Sequence, residues 1–313
     1  MTELKKVARL ISPMIAKEIS SARINSHDRI IEKLDDLQFM TRSIINTPSL
    51  LTIELQILDR SLMGHLLAGE ANRFFLASVV SRERSTQNQL KNASWQAIEN
   101  YYAAYFGIHY LLRMTGLSIT NIDSNAKHAI LRSYYDMPTP SIPLPSGLYI
   151  MKFNGDSGVV TLTKNLTKKG GGSHLEAWRH WEDLVQKLID ITKIDIVEYA
   201  RISMYLTEHL SFIRGSETRC NPPEIRGKIN YQFKGGAWIF EKGSEKSVGV
   251  LQRLISLPST NRTSTSATPE SLIVNNRLII DMAIAVFNLI SDSYPKGIYR
   301  SLANKYSSYL HDV

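Results

Sequence analysis

Apolar side chains recur every three or four residues along most of the chain, and this spacing predicts a mainly helical protein. Near the start, one helical face would carry Leu4, Val7, Leu10, Ile11 and Met14. The same style continues through residues 28–42 and 50–68, with Thr47-Pro48-Ser49 typical of a turn and a helix start. We therefore expect helices throughout residues 1–88.

The strongest helical pattern lies between residues 71 and 116, as one long helix or as two with a break near Ser85. In its second part, an aromatic and apolar stripe alternates spacings of three and four residues: Trp95, Ile98, Tyr102, Tyr105, His109 and Leu112. Ala103, Ala104 and Gly107 form an adjoining strip of small residues. Such a strip predicts the close approach of another helix.

The pattern changes between residues 137 and 172. Four prolines in "MPTPSIPLPSG" exclude a helix, and "LYIMKF", "NGDSG" and "VVTLTKN" together predict a β-hairpin at about 147–166. Helical patterns return with "HLEAWRHWEDLVQKLIDI" and "DIVEYARISMYLTEHLSFIRG", and two more are expected at about 270–292 and 295–310. The sequence thus predicts helices with one small β insertion.

Composition points to a soluble, cytoplasmic protein. The single cysteine, Cys220, excludes an internal disulfide, which favours a reducing compartment. Polar residues interrupt the apolar N-terminal patch, so no cleaved signal is predicted, and the apolar stretch 278–290 is too short to span a membrane. The net charge of +8 and the pI near 9.4 suit a polyanionic partner such as RNA.

Motifs for metals and cofactors are not found in the sequence. The eight histidines are scattered without the spacing of a metal site, so no metal and no cofactor is predicted. The segment "KKGGGSH" lacks the residue order of a phosphate-binding loop, and a flexible linker is the favoured interpretation. Its lysines are weaker candidates for contacts to a nucleic-acid backbone.

The decapeptide "EIRGKINYQF" carries the clearest candidate chemistry, with Arg226 five positions before Tyr231 and Asn230 directly before that tyrosine. Three interpretations stay open. Arg226 pairs with Glu224 or another acid while the Tyr231 ring packs in the core; the residues line a nucleic-acid-binding groove; or they belong to a metal-independent ribonuclease.

Three segments, in this order, resemble the HEPN superfamily of helical-bundle domains found in many prokaryotic toxin and defence RNases: "ENYYAAYFGIHYLLRMTG" (99–116), "NAKHAIL" (125–131) and "IRGKINYQF" (225–233). The resemblance implies a HEPN-like helical bundle over residues 89–235, with the hairpin inserted at about 147–166. An N-terminal helical region (1–88) and a C-terminal helical cap (236–313) would flank it. It also implies a homodimer.

In HEPN nucleases an arginine stabilises the phosphate, and a histidine on the same helix serves as acid and base without a metal. Arg226 matches that arginine, but Gly227 stands where the family prefers Asn, Asp or His, and Tyr231 stands where the histidine belongs. Tyrosine, with a pKa of about 10, is a poor base at neutral pH compared with histidine. By helical position, His128 and His209 are the candidates to replace it.

The expected function is therefore that of an RNA-directed protein of a toxin–antitoxin or antiviral-defence system, acting as a metal-independent endoribonuclease. The alternatives are a non-catalytic HEPN-like module that recognises RNA or a protein partner, and a purely structural protein. An antitoxin or another protein is a further candidate partner, and no membrane contact is expected. Candidate nucleic-acid contacts are Lys164, Lys168, Lys169 and Lys228.

Overall fold

The computed structural model describes residues 3–87, 93–134, 143–167, 172–215, 221–256 and 264–310. Within these ranges the chain is mainly helical, as the periodicity predicts, and it also contains a five-stranded antiparallel sheet. The helices are α1 Glu3–Ile11, α2 Lys17–Ser20, α3 Arg60–Thr86, α4 Ala93–Met114, α5 Ser124–Arg132, α6 Gly172–Thr192, α7 Ile196–Arg214, α8 Asn221–Gln232, α9 Glu245–Ser256, α10 Pro269–Ser293 and α11 Ile298–Lys305. The strands are β1 Phe39–Asn46, β2 Leu50–Ile57, β3 Leu117–Ile122, β4 Gly147–Asn154 and β5 Val159–Asn165.

The sheet has the strand order β1-β2-β5-β4-β3, and every neighbouring pair is antiparallel. In β2 every second side chain is buried, because successive side chains of a strand point to opposite faces. Ile53 lies opposite Leu162 and Leu55 opposite Val160, so β2 and β5 share one buried face. Residues 50–57 and 159–165 therefore contribute to one core.

The helices expected at residues 28–42 and 50–68 are only partly present, and this expectation was wrong for β1 and β2. Thr47 does not start a helix; its backbone N–H and its hydroxyl both bond to the Leu50 carbonyl and close a hairpin turn. The alternation of apolar and polar residues in "LLTIELQI" is that of a half-buried strand. By contrast, the hairpin predicted at 147–166 is present as β4 and β5.

The chain between residues 60 and 114 forms two helices, α3 and α4, and not one long helix. The alternative of two helices with a break near Ser85 is therefore the correct one. Helix α4 is central and packs against α3, α6, α8, α9 and α10. The small-residue strip lies in this packing: a Cβ at Gly107 would come within 3.4 Å of both Ile279 of α10 and Ser78 of α3.

Helix α10 is long and apolar enough to cross a membrane by length and composition alone, but 67% of its most apolar window is buried inside the fold. Such burial is typical of the core helix of a soluble protein. Buried apolar side chains between Val7 and Leu302 form one continuous cluster.

Candidate functional site

Helix α8 holds Arg226 over the middle of α4. Ile225 and Ile229, one helical turn apart, are both buried and fix α8 against the core. Arg226 is half-buried beside them. Its Nη2 donates to the Tyr102 hydroxyl of α4 at 2.5 Å, and its Nη1 donates to the Tyr231 hydroxyl at 3.3 Å.

Aromatic rings surround the Arg226 guanidinium. Its central carbon lies 5.9 Å from the ring centroid of Tyr101, 5.5 Å from that of Tyr102 and 5.2 Å from that of Tyr231. These distances fall within the range of cation–π attraction. Burial alone lowers the pKa of Arg226, but the Tyr102 and Tyr231 hydroxyls raise it more, so the pKa is raised overall. The guanidinium therefore stays charged.

The positive charge of Arg226 is not balanced by a carboxylate from any of the described ranges, and tyrosine hydroxyls take that place. Glu224, the neighbour expected as a partner, forms an ion pair with Lys228 at 2.8 Å. The Arg226 Nε is buried and has no hydrogen-bond partner among the described residues. A guanidinium that no carboxylate of the described residues neutralises is suited to bind an anion.

His174, in the first turn of α6, completes this group of side chains. Its ring stacks on Tyr105 with centroids 4.1 Å apart, and it also contacts the rings of Tyr101 and Tyr102. Arg226, Tyr101, Tyr102, Tyr231 and His174 are called the Arg226 cluster from here on. Three helices build it: α4, α6 and α8.

The hydrogen bonds around His174 favour one tautomer of its neutral ring. The Trp178 indole donates to the Tyr101 hydroxyl at 3.2 Å, and that hydroxyl lies 3.0 Å from His174 Nδ1. With the indole donor on its oxygen, the hydroxyl is placed to donate its own proton to Nδ1, and this arrangement favours the tautomer with the ring proton on Nε2. Burial, and then the charge of Arg226, lower the pKa of His174, so the ring is neutral near pH 7.

A buried polar network lies behind the cluster, between α3 and α4. His109 contacts the Tyr105 ring edge-on at 4.6 Å, and its Nδ1 accepts from Arg113 Nη1 at 3.0 Å. Arg113 in turn forms a buried ion pair with Glu70 at 2.9 Å. Burial lowers the pKa of His109 well below its ordinary value. This network holds α4 in place beneath the cluster.

The predicted site residues are only partly brought together. Tyr231 contacts Arg226 and is 68% exposed, so its ring is not part of the core. Asn230 is half-buried on the same helix. His128 lies exposed on α5, which is not among the three helices that build the Arg226 cluster.

His209 is fully buried, and both of its ring nitrogens are occupied. The Trp181 indole donates to Nε2 at 2.8 Å, and Nδ1 lies 2.8 Å from Asn275 Oδ1. Burial lowers the pKa of His209 to about 4. In this environment His209 supports the packing of α6, α7 and α10, and we do not include it in the site.

The candidate lysines do not gather around Arg226. Lys164 lies over the Tyr149 ring at 5.1 Å, on the sheet, and Lys228 is paired with Glu224. Lys168 and Lys169 lie outside the described residues.

The sequence pattern did not identify His174 as a site residue. The signal that would have found it is its spacing of four residues from Trp178, which puts both on one face of α6. Its contact with Tyr101 joins residues 73 positions apart, and no local pattern encodes such a contact.

No protein-family model matches this chain, and no curated protein and no solved structure shows a significant similarity to it. Within the described ranges, no group of three or more His, Cys, Asp or Glu side chains is placed to hold a metal ion. The chemistry of the Arg226 cluster therefore has to be argued from its own residues. Its polar groups nearest the guanidinium are tyrosine hydroxyls, and hydroxyls beside a charged donor favour an anionic ligand.

Proposed function

We propose that the Arg226 cluster binds a phosphate group of RNA and that the protein is RNA-directed. The observation that carries this proposal is the charged guanidinium of Arg226, whose partners among the described residues are tyrosine hydroxyls and rings and not a carboxylate. Arginine donors match phosphate oxygens, and tyrosine hydroxyls add neutral donors beside them.

The choice of RNA rests on two further points. The net charge of +8 favours a polyanion. Two of the segments that resemble the HEPN superfamily also meet in the cluster, since Tyr101 and Tyr102 come from the first and Arg226 and Tyr231 from the third. The second segment lies on α5 and contributes no member to the cluster.

Binding of labelled single-stranded RNA tests the proposal. Replacing Arg226 by alanine removes a charged donor, for which a loss of about 1.5–3 kcal/mol is typical. Affinity should fall about 10- to 150-fold. The slope of log affinity against log salt concentration should become shallower by about one, which corresponds to the loss of one phosphate contact. Arg226→Lys keeps the positive charge but lacks the paired N–H donors of a guanidinium, so its affinity for RNA should fall less than that of Arg226→Ala.

A matched control is Arg300→Ala, because Arg300 is an exposed arginine that is paired with Asp292. Its removal should leave RNA affinity unchanged. Equal affinities for the Arg226→Ala and Arg300→Ala proteins would reject the phosphate site.

Metal-independent RNA cleavage is the second candidate function, and the observation behind it is that a neutral imidazole, that of His174, belongs to the same cluster as Arg226. In such cleavage the 2′-hydroxyl loses its proton and attacks the adjacent phosphorus. The bond to the 5′ oxygen breaks, that oxygen takes a proton, and a 2′,3′-cyclic phosphate forms. His174 is neutral and can serve as the base only with its ring proton on Nδ1, whereas the Tyr101 bond favours Nε2.

Cleavage of RNA in EDTA, with detection of the cyclic phosphate, tests this second function. His174→Gln and Arg226→Ala should each abolish it, and an RNA with 2′-methoxy groups should resist it. If RNA is bound but stays intact, the protein is a binding module. The bond between Tyr101 and His174 favours this outcome, because the tautomer that it favours carries the ring proton on Nε2. A requirement for Mg²⁺ would also reject this second function.

The remaining expectations belong to the same proposal and rest on the HEPN resemblance or on composition. They are a cytoplasmic location, a role in a toxin–antitoxin or antiviral-defence system, and a homodimer that brings two Arg226 clusters together. The mass of the purified protein in solution decides the last of these.

A further inference from the structure

Four aromatic rings form an exposed group just beyond the end of α8: Trp95, Phe233, Trp238 and Phe240. We call it the aromatic platform. Trp95 is 53% exposed, Phe233 51% and Phe240 65%, while Trp238 is half-buried at the centre. The Trp238 centroid lies 6.0 Å from that of Trp95, 5.3 Å from Phe233 and 5.2 Å from Phe240. Contiguous exposed rings of this kind mark an interaction surface.

The chain is built to hold these rings at the surface. Phe233 has a backbone φ of +52°, in the left-handed region that a bulky side chain rarely adopts. Glu241 accepts the backbone N–H groups of Gly236 and Trp238, at 2.8 and 2.9 Å. The Trp238 indole donates to the Ile229 carbonyl at 2.7 Å, near the end of α8. The turn is thus fixed by hydrogen bonds, so the rings stay exposed.

Residues 233–246 carry three of the four platform rings, and their three lysines outnumber the two acidic residues, Glu241 and the exposed Glu245, which gives the segment a small positive charge. Lys234, Lys242 and Lys246 are exposed, and none of them forms a salt bridge with a described residue. The carboxylate of Glu241 accepts from backbone donors in the turn. Exposed lysines that pair with no acidic side chain of the described residues favour a nucleic-acid backbone over a protein surface of mixed charge.

The platform also continues directly from the Arg226 cluster. Helix α8 runs on from Arg226 to Gln232, which corresponds to about 9 Å along the helix axis, and Phe233 follows directly after its last residue. About three nucleotides stacked at about 3.4 Å per step cover that length. Tyr231, which contacts Arg226, lies between them and is exposed.

We propose that the aromatic platform stacks the unpaired bases of an RNA strand whose phosphate lies at Arg226. This inference rests on the proposed function and adds its substrate class, single-stranded RNA. Aromatic faces accept any base, so stacking requires an unpaired strand and little sequence preference.

Phe240 is the position at which the proposal is tested best, because the rings it contacts, those of Phe233 and Trp238, both belong to the platform. Fluorescence anisotropy with a labelled single-stranded RNA of mixed sequence should show an affinity about 5- to 150-fold lower for Phe240→Ala. Phe240→Tyr keeps the ring and should keep the affinity. Phe240→Leu keeps an apolar side chain but has no π face, so its affinity for RNA should fall as that of Phe240→Ala does.

Two controls belong to the experiment. Tyr309→Ala removes an aromatic ring that is 41% exposed outside the platform, and its affinity should equal that of the unaltered protein. A hairpin RNA of the same composition should bind more weakly than the unpaired strand. RNA should also quench the fluorescence of Trp95 and Trp238 but not that of the fully buried Trp178 and Trp181, so the quenching should disappear in Trp95→Phe/Trp238→Phe.

The outcomes distinguish base stacking from an interface between two copies of the chain. If Phe240→Leu binds RNA as well as the unaltered protein, stacking is rejected. If Phe240→Ala changes the mass of the protein in solution and leaves RNA affinity intact, the platform is an interface with a second copy instead. Weakened binding in Phe240→Ala together with full binding in Arg226→Ala would keep the platform and reject the phosphate site. The reverse result would reject the platform alone.

Discussion

Two histidines show how the surroundings of a residue decide what it can do. His209 lies at 0% exposure with an indole donor on one ring nitrogen and an amide oxygen on the other. His174 bonds to Tyr101 through one ring nitrogen, Nδ1, and lies beside a charged arginine. The first arrangement serves folding, whereas the second leaves Nε2 for a ligand.

The burial of His209 predicts a loss of stability in acid. Its pKa in the folded protein is about 4, below the ordinary value of 6.5. Below pH 6.5 the unfolded chain takes up a proton that the folded protein does not, so stability falls until the pH reaches the folded pKa. At pH 5 the loss amounts to about 2 kcal/mol.

Urea unfolding at pH 7 and pH 5 checks this prediction in the unaltered protein and in His209→Gln. Glutamine offers an acceptor and a donor but does not titrate, so the variant should lose about 2 kcal/mol less between the two pH values. The other buried histidines are present in both proteins and cancel in the comparison. An equal loss in both proteins would show that His209 is not responsible.

At the scale of elements, the ion pair between Glu70 of α3 and Arg113 of α4 is a costly contact to break. Both side chains are buried, and Glu70 also accepts the Ile30 backbone N–H at 3.0 Å. Glu70→Ala should destabilise the protein by about 3–5 kcal/mol, because it leaves a buried guanidinium without its counter-ion. Urea unfolding at pH 7 measures the change.

A double-mutant cycle of Glu70→Gln and Arg113→Met measures the coupling within this ion pair. Glu70→Gln/Arg113→Met keeps an acceptor for Ile30 and buries no charge, so it should cost less than the two single changes added together. Chemical unfolding of the four proteins gives the coupling. Additive costs would mean that the two residues act independently.

Elements were predictable where local chemistry decides them. The β4–β5 hairpin was predicted because "NGDSG" separates two strand-like runs. The β1–β2 hairpin was missed although "LLTIELQI" alternates as a strand does, because this short run also fits a helical spacing, and the pairing of β2 with β5 more than a hundred residues away, as in Leu55 with Val160, is not visible locally. The site shows the same division. Arg226 and Tyr231 share a helix and were identified from their spacing, and then again by resemblance, while His174 reaches them through the packing of α6 on α4.

At the scale of the molecule, the N-terminal and C-terminal parts of the chain are built into the same core as the middle. The Ile298 N–H donates to the Ala22 carbonyl at 2.9 Å, and the Tyr299 hydroxyl donates to the Ile19 carbonyl at 3.0 Å. Strand β5, in the middle of the chain, pairs with β2, and helix α4, also in the middle, packs against α3 and α10. Both β5 and α4 therefore have partners from outside residues 89–235.

This arrangement predicts that residues 89–235 do not fold when expressed alone. Without β2, the fragment exposes the edge of β5, and without α3 and α10 it exposes the apolar and aromatic faces of α4. A fragment that buries so little apolar surface lacks the free energy to offset its chain entropy. It should show no cooperative transition in urea and no near-ultraviolet dichroism.

Co-expression of residues 1–90 and 91–313 is the matched experiment, because the cut falls between α3 and α4 and leaves both helices intact. The two pieces should assemble and unfold cooperatively, since strand pairing and helix packing hold them without the covalent link. They should also bind RNA, because the Arg226 cluster and the aromatic platform both lie in the second piece. A cooperative transition for residues 89–235 alone would show instead that this region has a core of its own, as a HEPN-like domain of independent stability would.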